Sequence, residues 1–223
     1  MVLWAAIGVL GVAAQGAISF FNKPAWVKKS AKLDSNWRRV AIGSTLAALV
    51  TLGFELVLAK VNDFHPYTAV FVGITAFIVF QSFITDISLR YVDRWIMNLA
   101  NVIALATGVF LLYNFRPESE LVVYAVFCIA ATALLFFPIF GQSDARALQL
   151  MVFALYPLYG VVGIQYALAG MLIAIVIYYI AQAIHKGDWA FNKLFTKLSF
   201  PMVPLILAPV LLVLLFGRWI PTF

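Results

Sequence analysis

One cysteine, two histidines and 9 acidic residues are all that this chain of 223 residues holds of the groups that usually build metal sites and catalytic centres. With Cys128 alone, an intrachain disulfide framework and a cysteine zinc site are both excluded, and a thiol in the middle of an apolar run reads as a small buried apolar residue. His65 precedes Pro66 and His185 ends an apolar run. Neither is spaced for a metal or a triad, so no metal and no cofactor is expected. Charge is scarce at 11% of residues, and neither an internal repeat nor a low-complexity linker divides the chain. What fills it is apolar: 65% hydrophobic residues and a mean hydropathy of +1.01 do not describe a soluble domain. They imply a polytopic membrane protein.

Apolar runs long enough to cross a hydrocarbon core of ~30 Å as helix cover residues 2–21, 40–59, 67–85, 95–113 and 120–140. The tract 145–184 is too long for one crossing and is expected to divide near Pro157 and Gly160; a last run covers 201–219. The expectation is an all-α polytopic integral membrane helical bundle of about eight transmembrane helices. It forms one domain over residues 1–223.

Basic residues are retained in cytoplasmic loops and so orient such a bundle. Lys23, Lys28, Lys29, Lys32, Arg38 and Arg39 follow the first run, Arg90 and Arg94 the third, Arg146 the fifth, and Lys186, Lys193 and Lys197 the seventh. Of the 15 basic residues, only Lys60, Arg116 and Arg218 fall on the other side. The N-terminus is therefore expected outside and the basic loops in the cytoplasm, with the chain in the inner (cytoplasmic) membrane. The net charge of +6 then reports topology and attraction to anionic headgroups. Membrane lipids are expected partners and nucleic acid is not.

The first run has no basic residues before it and reads as a span, not as a cleaved signal. Residues 22–39, the one soluble-looking segment, are expected as a basic cytoplasmic loop or interfacial helix. Trp4 and Trp219 on the outer side, and Trp26, Trp37, Trp95 and Trp189 on the inner, fit an interfacial aromatic belt. Glu55 lies within the second run, where it either snorkels to the outer surface or pairs with a neighbouring helix.

Asp86 and Asp144 stand out because each sits at a boundary of a long apolar stretch, where an acid is expensive. Two crossings separate them, so both return to the cytoplasmic side. Each also has a plain alternative. Asp144, just before the sixth helix, is placed as an N-cap accepting from the first amides. Asp86, at a helix C-terminus, meets the negative end of the dipole, and pairs at best with Arg90 four residues on.

Phe83-Ile84-Thr85-Asp86-Ile87, followed by Val92-Asp93-Arg94-Trp95, resembles the prepilin peptidase pattern, in which an aspartate at a helix end is followed six residues later by Ile-Pro-Asn. Gly141-Gln142-Ser143-Asp144-Ala145-Arg146 is similar to that family's Gly-x-Gly-Asp motif with a basic residue two positions on. Phe200-Pro201-Met202-Val203-Pro204-Leu205-Ile206-Leu207-Ala208 resembles the element that opens the family's last helix. Asp93, Arg94 and Ser143 depart from the family's Pro, Asn and second Gly. The cysteine-rich cytoplasmic insert of many bacterial members is missing, so the resemblance is to the short form.

The resemblance implies a membrane-embedded aspartic endopeptidase, a hydrolase of type IV pilus and protein secretion pathways. It would remove the short basic leader from pilin-like precursors at the cytoplasmic face. Asp86 and Asp144 would be the catalytic pair, with Gly141, Ser143, Arg146, Asp93, Arg94 and Arg90 in support. Carboxylates about 3 Å apart cannot both ionise cheaply, so one keeps a proton and the other activates water. Arg90, Arg94 and Arg146 are read either as orienting the aspartates or as binding lipid phosphates. Two other classes fit the same residues: a non-catalytic scaffold of a pilus or secretion machine, or a transporter using paired acids.

Overall fold

The computed structural model describes residues 2–24, 27–28, 31–61, 67–89, 93–137, 141–186 and 202–217, with the backbone alone at 31–33, 59–61, 86–89, 182–183 and 185–186. Among them there is no strand. The helices are α1 (Val2–Phe21), α2 (Ala31–Val61), α3 (Thr68–Leu89), α4 (Arg94–Phe115), α5 (Glu118–Ala133, continued by a 3-10 turn at Leu134–Phe136), α6 (Gln142–Lys186) and α7 (Met202–Phe216). Six of them are long and apolar enough to cross a membrane, in the stretches Val2–Phe21, Asp34–Leu58, Thr68–Thr85, Arg94–Phe115, Glu118–Phe136 and Gln142–Ala181. Helices satisfy the backbone groups of their interiors within the segment, as a lipid environment demands.

α3 is the centre. Val70, Phe71, Val72, Ile74, Ala76, Phe77 and Ile78 are wholly buried, because α1, α2, α4 and α7 all pack on it. α1 approaches closely through small residues. A Cβ on Gly8 would meet Leu52 Cδ1 at 2.7 Å and the Ala69 carbonyl oxygen at 3.1 Å, and this approach is how helices gain contact where lipid competes equally well for apolar side chains. By contrast α5 and the second part of α6 expose Val122, Val126, Ile129, Leu172, Ile173 and Ile177, the composition expected of a lipid-facing surface.

Side-chain contacts fix the relative directions. Gly8 lies against Ala69, Gly11 against Ile74 and Ser19 against Gln81, so α1 and α3 are parallel. Trp37 reaches Ser19 and Leu52 reaches Gly8 and Gly73, so α2 runs opposite to both. Trp4 packs on Phe110 and Gly11 on Ile103, which sets α4 antiparallel to α1. Asn98 pairs with Arg146 and Gly108 with Pro157, so the first part of α6 runs parallel to α4.

Within α6 the backbone leaves the helical region at Gly160 (φ 61, ψ −151), a left-handed conformation open to glycine. This is the place where the sequence divides the 145–184 tract. Tyr159 meets Leu214 and Gly217 while Gly170 meets Pro209. The segment after Gly160 therefore runs antiparallel to α7, which itself packs along α3.

The structure corrects several expectations. Of the loop or interfacial helix expected over 22–39, residues 31–39 are helix and continuous with the α2 span, with Trp37 2% exposed and its Nε1 donating to the Ser19 carbonyl at 2.6 Å. Trp37 is thus a core residue and not part of an interfacial belt. Lys23 and Asp34 pair across this junction at 2.5 Å, and Arg38 lies over the Phe20 ring. Glu55 is fully buried in the bundle and does not reach a surface. Trp26, Trp189, Trp219, His65, Arg90 and the side chain of His185 lie outside the described residues.

Candidate functional site

Helix termini gather at one end of the bundle: the C-termini of α1, α3 and α5 and the N-termini of α2, α4 and α6, as the pairings Ser19–Gln81, Ser19–Trp37, Asn98–Arg146 and Thr132–Gln149 require. The start of α7 joins them. Leu214 and Gly217 are level with Tyr159, and the same number of residues separates Met202 from Gly217 as separates Asp144 from Tyr159. Lys23, Arg38, Arg39, Arg94 and Arg146 belong to this end, which is called the basic end below. Tyr67, Phe115, Arg116 and Pro157 line a cavity at the opposite end.

α4 starts at Arg94 because Asp93 caps it. Asp93 is extended (φ −69, ψ 118) and its Oδ1 accepts from the Trp95 amide at 2.9 Å, an arrangement worth about 1 kcal/mol. The side chain is 4% exposed, and Oδ2 makes no hydrogen bond among the described residues. Burial pushes the Asp93 carboxyl above its ordinary range, while the Trp95 and Ile96 amides pull it back down. Asp93 is therefore a structural cap and not part of a loop.

α6 starts differently. Its first residue is Gln142, and the Gly141 carbonyl accepts from the Ala145 amide at 3.0 Å, so Gly141 holds the cap position. Asp144 sits in the first turn, not at the cap where the sequence placed it. There its charge still complements the positive helix end. The carboxylate folds back over the glycine, since a Cβ on Gly141 would lie 2.8 Å from Asp144 Oδ2. This gives Gly141 a physical reason: any side chain there displaces the carboxylate. Ser143 and Asp144 are both half-buried.

Asp86 lies in the last turn of α3, which continues to Leu89, so the helix is longer than the apolar run. The described residues include its backbone and not its side chain. The turn before it is polar and buried: Gln81, Ser82 and Thr85 are at most 1% exposed, with Thr85 Oγ1 donating to the Gln81 carbonyl. The basic end thus holds the backbone of Asp86 and the carboxylates of Asp93 and Asp144. α3 and α6 have little direct contact, and α7 packs on both.

Arg146 ties α4 to α6. Its Nε donates to Asn98 Oδ1 at 2.8 Å and its Nη1 to the Gln142 carbonyl at 2.9 Å, while Asn101 Nδ2 donates to the Arg146 carbonyl at 3.2 Å. Arg94 is exposed on the α4 face that carries Asn98 one turn on. Among the described residues no group of three or more His, Cys, Asp and Glu is placed to hold a metal ion.

Sequence reasoning weighed acids in the apolar runs and passed over amides. A buried polar seam joins α1, α2 and α3 near the basic end: Gln81 Nε2 donates to Ser19 Oγ at 2.6 Å, and Gln15 is wholly buried with neither amide atom hydrogen-bonded among the described residues. Buried Asn101 and Gln149, with exposed Asn98, make the polar links between α4, α5 and α6. The available signal was a Gln or Asn inside an otherwise apolar run. No family model, no curated protein and no solved structure matches this chain.

Proposed function

We propose that this multi-pass helical bundle is a membrane-embedded aspartic endopeptidase of the prepilin peptidase type, using Asp86 and Asp144 on pilin-like precursors. The eight-span topology with the N-terminus outside belongs to the same proposal, with Gly160 as the turn between the sixth and seventh spans. What supports the reading is one observation: the described parts of the three segments that resemble the family's motifs fall at the end of α3, the start of α6 and the start of α7, which the pairings Ser19–Gln81, Asn98–Arg146 and Tyr159–Leu214 put at the basic end. α7 contacts both of the helices that carry the aspartates.

In this mechanism one carboxylate takes a proton from water as the water oxygen bonds to the scissile carbonyl carbon. The other, protonated, donates to the carbonyl oxygen as negative charge develops there. Collapse breaks the C–N bond, the amine leaves with a proton from the pair, and the leader keeps the new carboxylate. The two acids titrate as one coupled unit. Gly141 lets the Asp144 carboxylate lie back over the helix start, and Arg146 fixes α6 to α4 so that this start holds its position.

The test is co-expression in membranes with a pilin-like precursor, consisting of a basic leader, a glycine at the cut and an apolar helix, and measurement of precursor mass. A leader-sized loss with the wild type and none with Asp86→Asn or Asp144→Asn supports the peptidase. No cleavage by any of the three, at equal membrane insertion, sinks it and favours a scaffold.

A further inference from the structure

An apolar groove of about 730 Å³ opens between α1 and α4 at the basic end, lined by Ala17, Ile18 and Phe21 on one side and Trp95, Asn98 and Val102 on the other. Phe21, Trp95 and Val102 are 83%, 69% and 64% exposed, so the groove faces outward from the bundle, towards lipid if α1 and α4 cross a membrane. One rim of it is cationic. Arg94 precedes Trp95 and lies one turn from Asn98, and Asn98 Oδ1 takes the Arg146 Nε proton. Arg94 and Arg146 are thus both within one turn or one hydrogen bond of Asn98, which lines the groove. Among the described residues neither is in an ion pair, the pair found being Lys23 with Asp34. Arg94 is the first residue of α4, where the helix dipole adds positive potential, and Arg146 follows the first turn of α6.

Two guanidiniums on one rim attract an anion, and the apolar channel beside them is suited to a hydrocarbon chain. We propose that this groove is a binding site for an anionic phospholipid, with the phosphate on Arg94 and Arg146 and one acyl chain between α1 and α4. The acids nearby do not occupy that role. Asp93 turns inward to its own helix amides, and Asp144 lies back over Gly141. Trp95 on the rim supplies the amphipathic ring that favours headgroup depth. The bound lipid joins α1 to α4 at the end where α3, α6 and α7 converge. The inference is independent of the peptidase reading.

The experiment is native mass spectrometry of the full chain released from micelles containing phosphatidylglycerol or phosphatidylcholine with identical acyl chains. The wild type is expected to retain phosphatidylglycerol preferentially, with the preference weakened by salt. Neutralising each arginine, Arg94→Gln and Arg146→Gln, is expected to cost about fivefold in that preference, and Lys at both positions to restore most of it. Ala17→Trp fills the groove and is expected to lower retention of both lipids without touching the charge. Equal retention of the two lipids by the wild type overturns the proposal, as does a preference that survives the double Gln variant. Displacement by inorganic phosphate alone would assign the arginines to a free anion. Capture of an apolar helical peptide in place of lipid, blocked by Ala17→Trp, would assign the groove to a peptide. The salt dependence and Ala17→Trp decide the question even where the double variant fails to insert.

Discussion

Two helices begin at the basic end with an aspartate within reach of their first amides, and they use it in opposite ways. α4 spends the Asp93 carboxylate on its own Trp95 amide and buries it. α6 gives the cap position to Gly141 and leaves the Asp144 carboxylate half-buried in the first turn, folded over a residue that has no side chain. Residue type and helix polarity are the same in both. The difference shows that an acid at a helix start is explained by structure only when its oxygen is committed to that helix's own amides. Asp93 meets that condition through Oδ1, whereas Asp144 lies in the first turn of α6 and not at its cap, and variants at the two positions compare their roles.

The largest effects should separate these two residues. Asp144→Asn, like Asp86→Asn, is expected to lower precursor cleavage by at least 10²-fold, the lower bound for losing a positioned acid or base, with helicity and membrane insertion unchanged. Asp93→Asn keeps a cap acceptor and is expected to leave cleavage near wild type. Equal loss at 93 and 144, measured by precursor mass in membranes, would erase the distinction. Next in size is Gly141→Ala. The added Cβ would stand 2.8 Å from Asp144 Oδ2, so the carboxylate must move while the helix remains. A displacement on the order of 1 Å costs about 10²-fold in a positioned group. An unchanged cleavage rate in this variant would show that the folded-back position of Asp144 is not the working one.

Much of the bundle was legible because a membrane-spanning helix announces itself by length of apolar run. The break in α6 was legible because Pro157 and Gly160 interrupt a run too long for one crossing. The continuity of residues 31–39 with the α2 span was hidden by Lys32, Asp34, Arg38 and Arg39, which read as a separate loop or interfacial helix. Yet Trp37, Val40, Ala41 and Ser44 are all buried, at a spacing that marks one helix face. The cap of α6 was misjudged because Gly-Gln-Ser-Asp offers both a glycine and an aspartate as a cap, and the sequence does not say at which one the helix begins. The seam of Gln15, Ser19 and Gln81 depends on residues distant in sequence meeting across helices, which composition within one run does not encode.

A smaller effect sharpens the Asp93 side of the comparison. Asp93→Ala removes the acceptor for the Trp95 amide and is expected to cost about 1 kcal/mol, whereas Asp93→Asn retains an acceptor and is expected to cost a few tenths at most. Thermal unfolding in non-ionic micelles reads both. If Ala and Asn are equally costly, the carboxylate charge matters and the cap does not.

The smallest effect is a slope. Burial raises the Asp93 carboxyl above its ordinary 3.8, so over the window between 3.8 and the folded value the native state holds a proton that the unfolded chain has released. Stability must then fall as pH rises through that window and be flat below and above it. This is the opposite sign from an ion-paired aspartate, whose stabilisation is lost as pH falls. Other acids contribute their own slopes, so the quantity to measure is the difference between wild type and Asp93→Asn in unfolding midpoint from pH 4 upward. The variant is expected to gain relative to wild type as pH rises, because it never has to bury a charge. A difference that stays constant with pH would mean that the Asp93 carboxylate is solvated, and that α4 and α6 treat their aspartates more alike than their hydrogen bonds indicate.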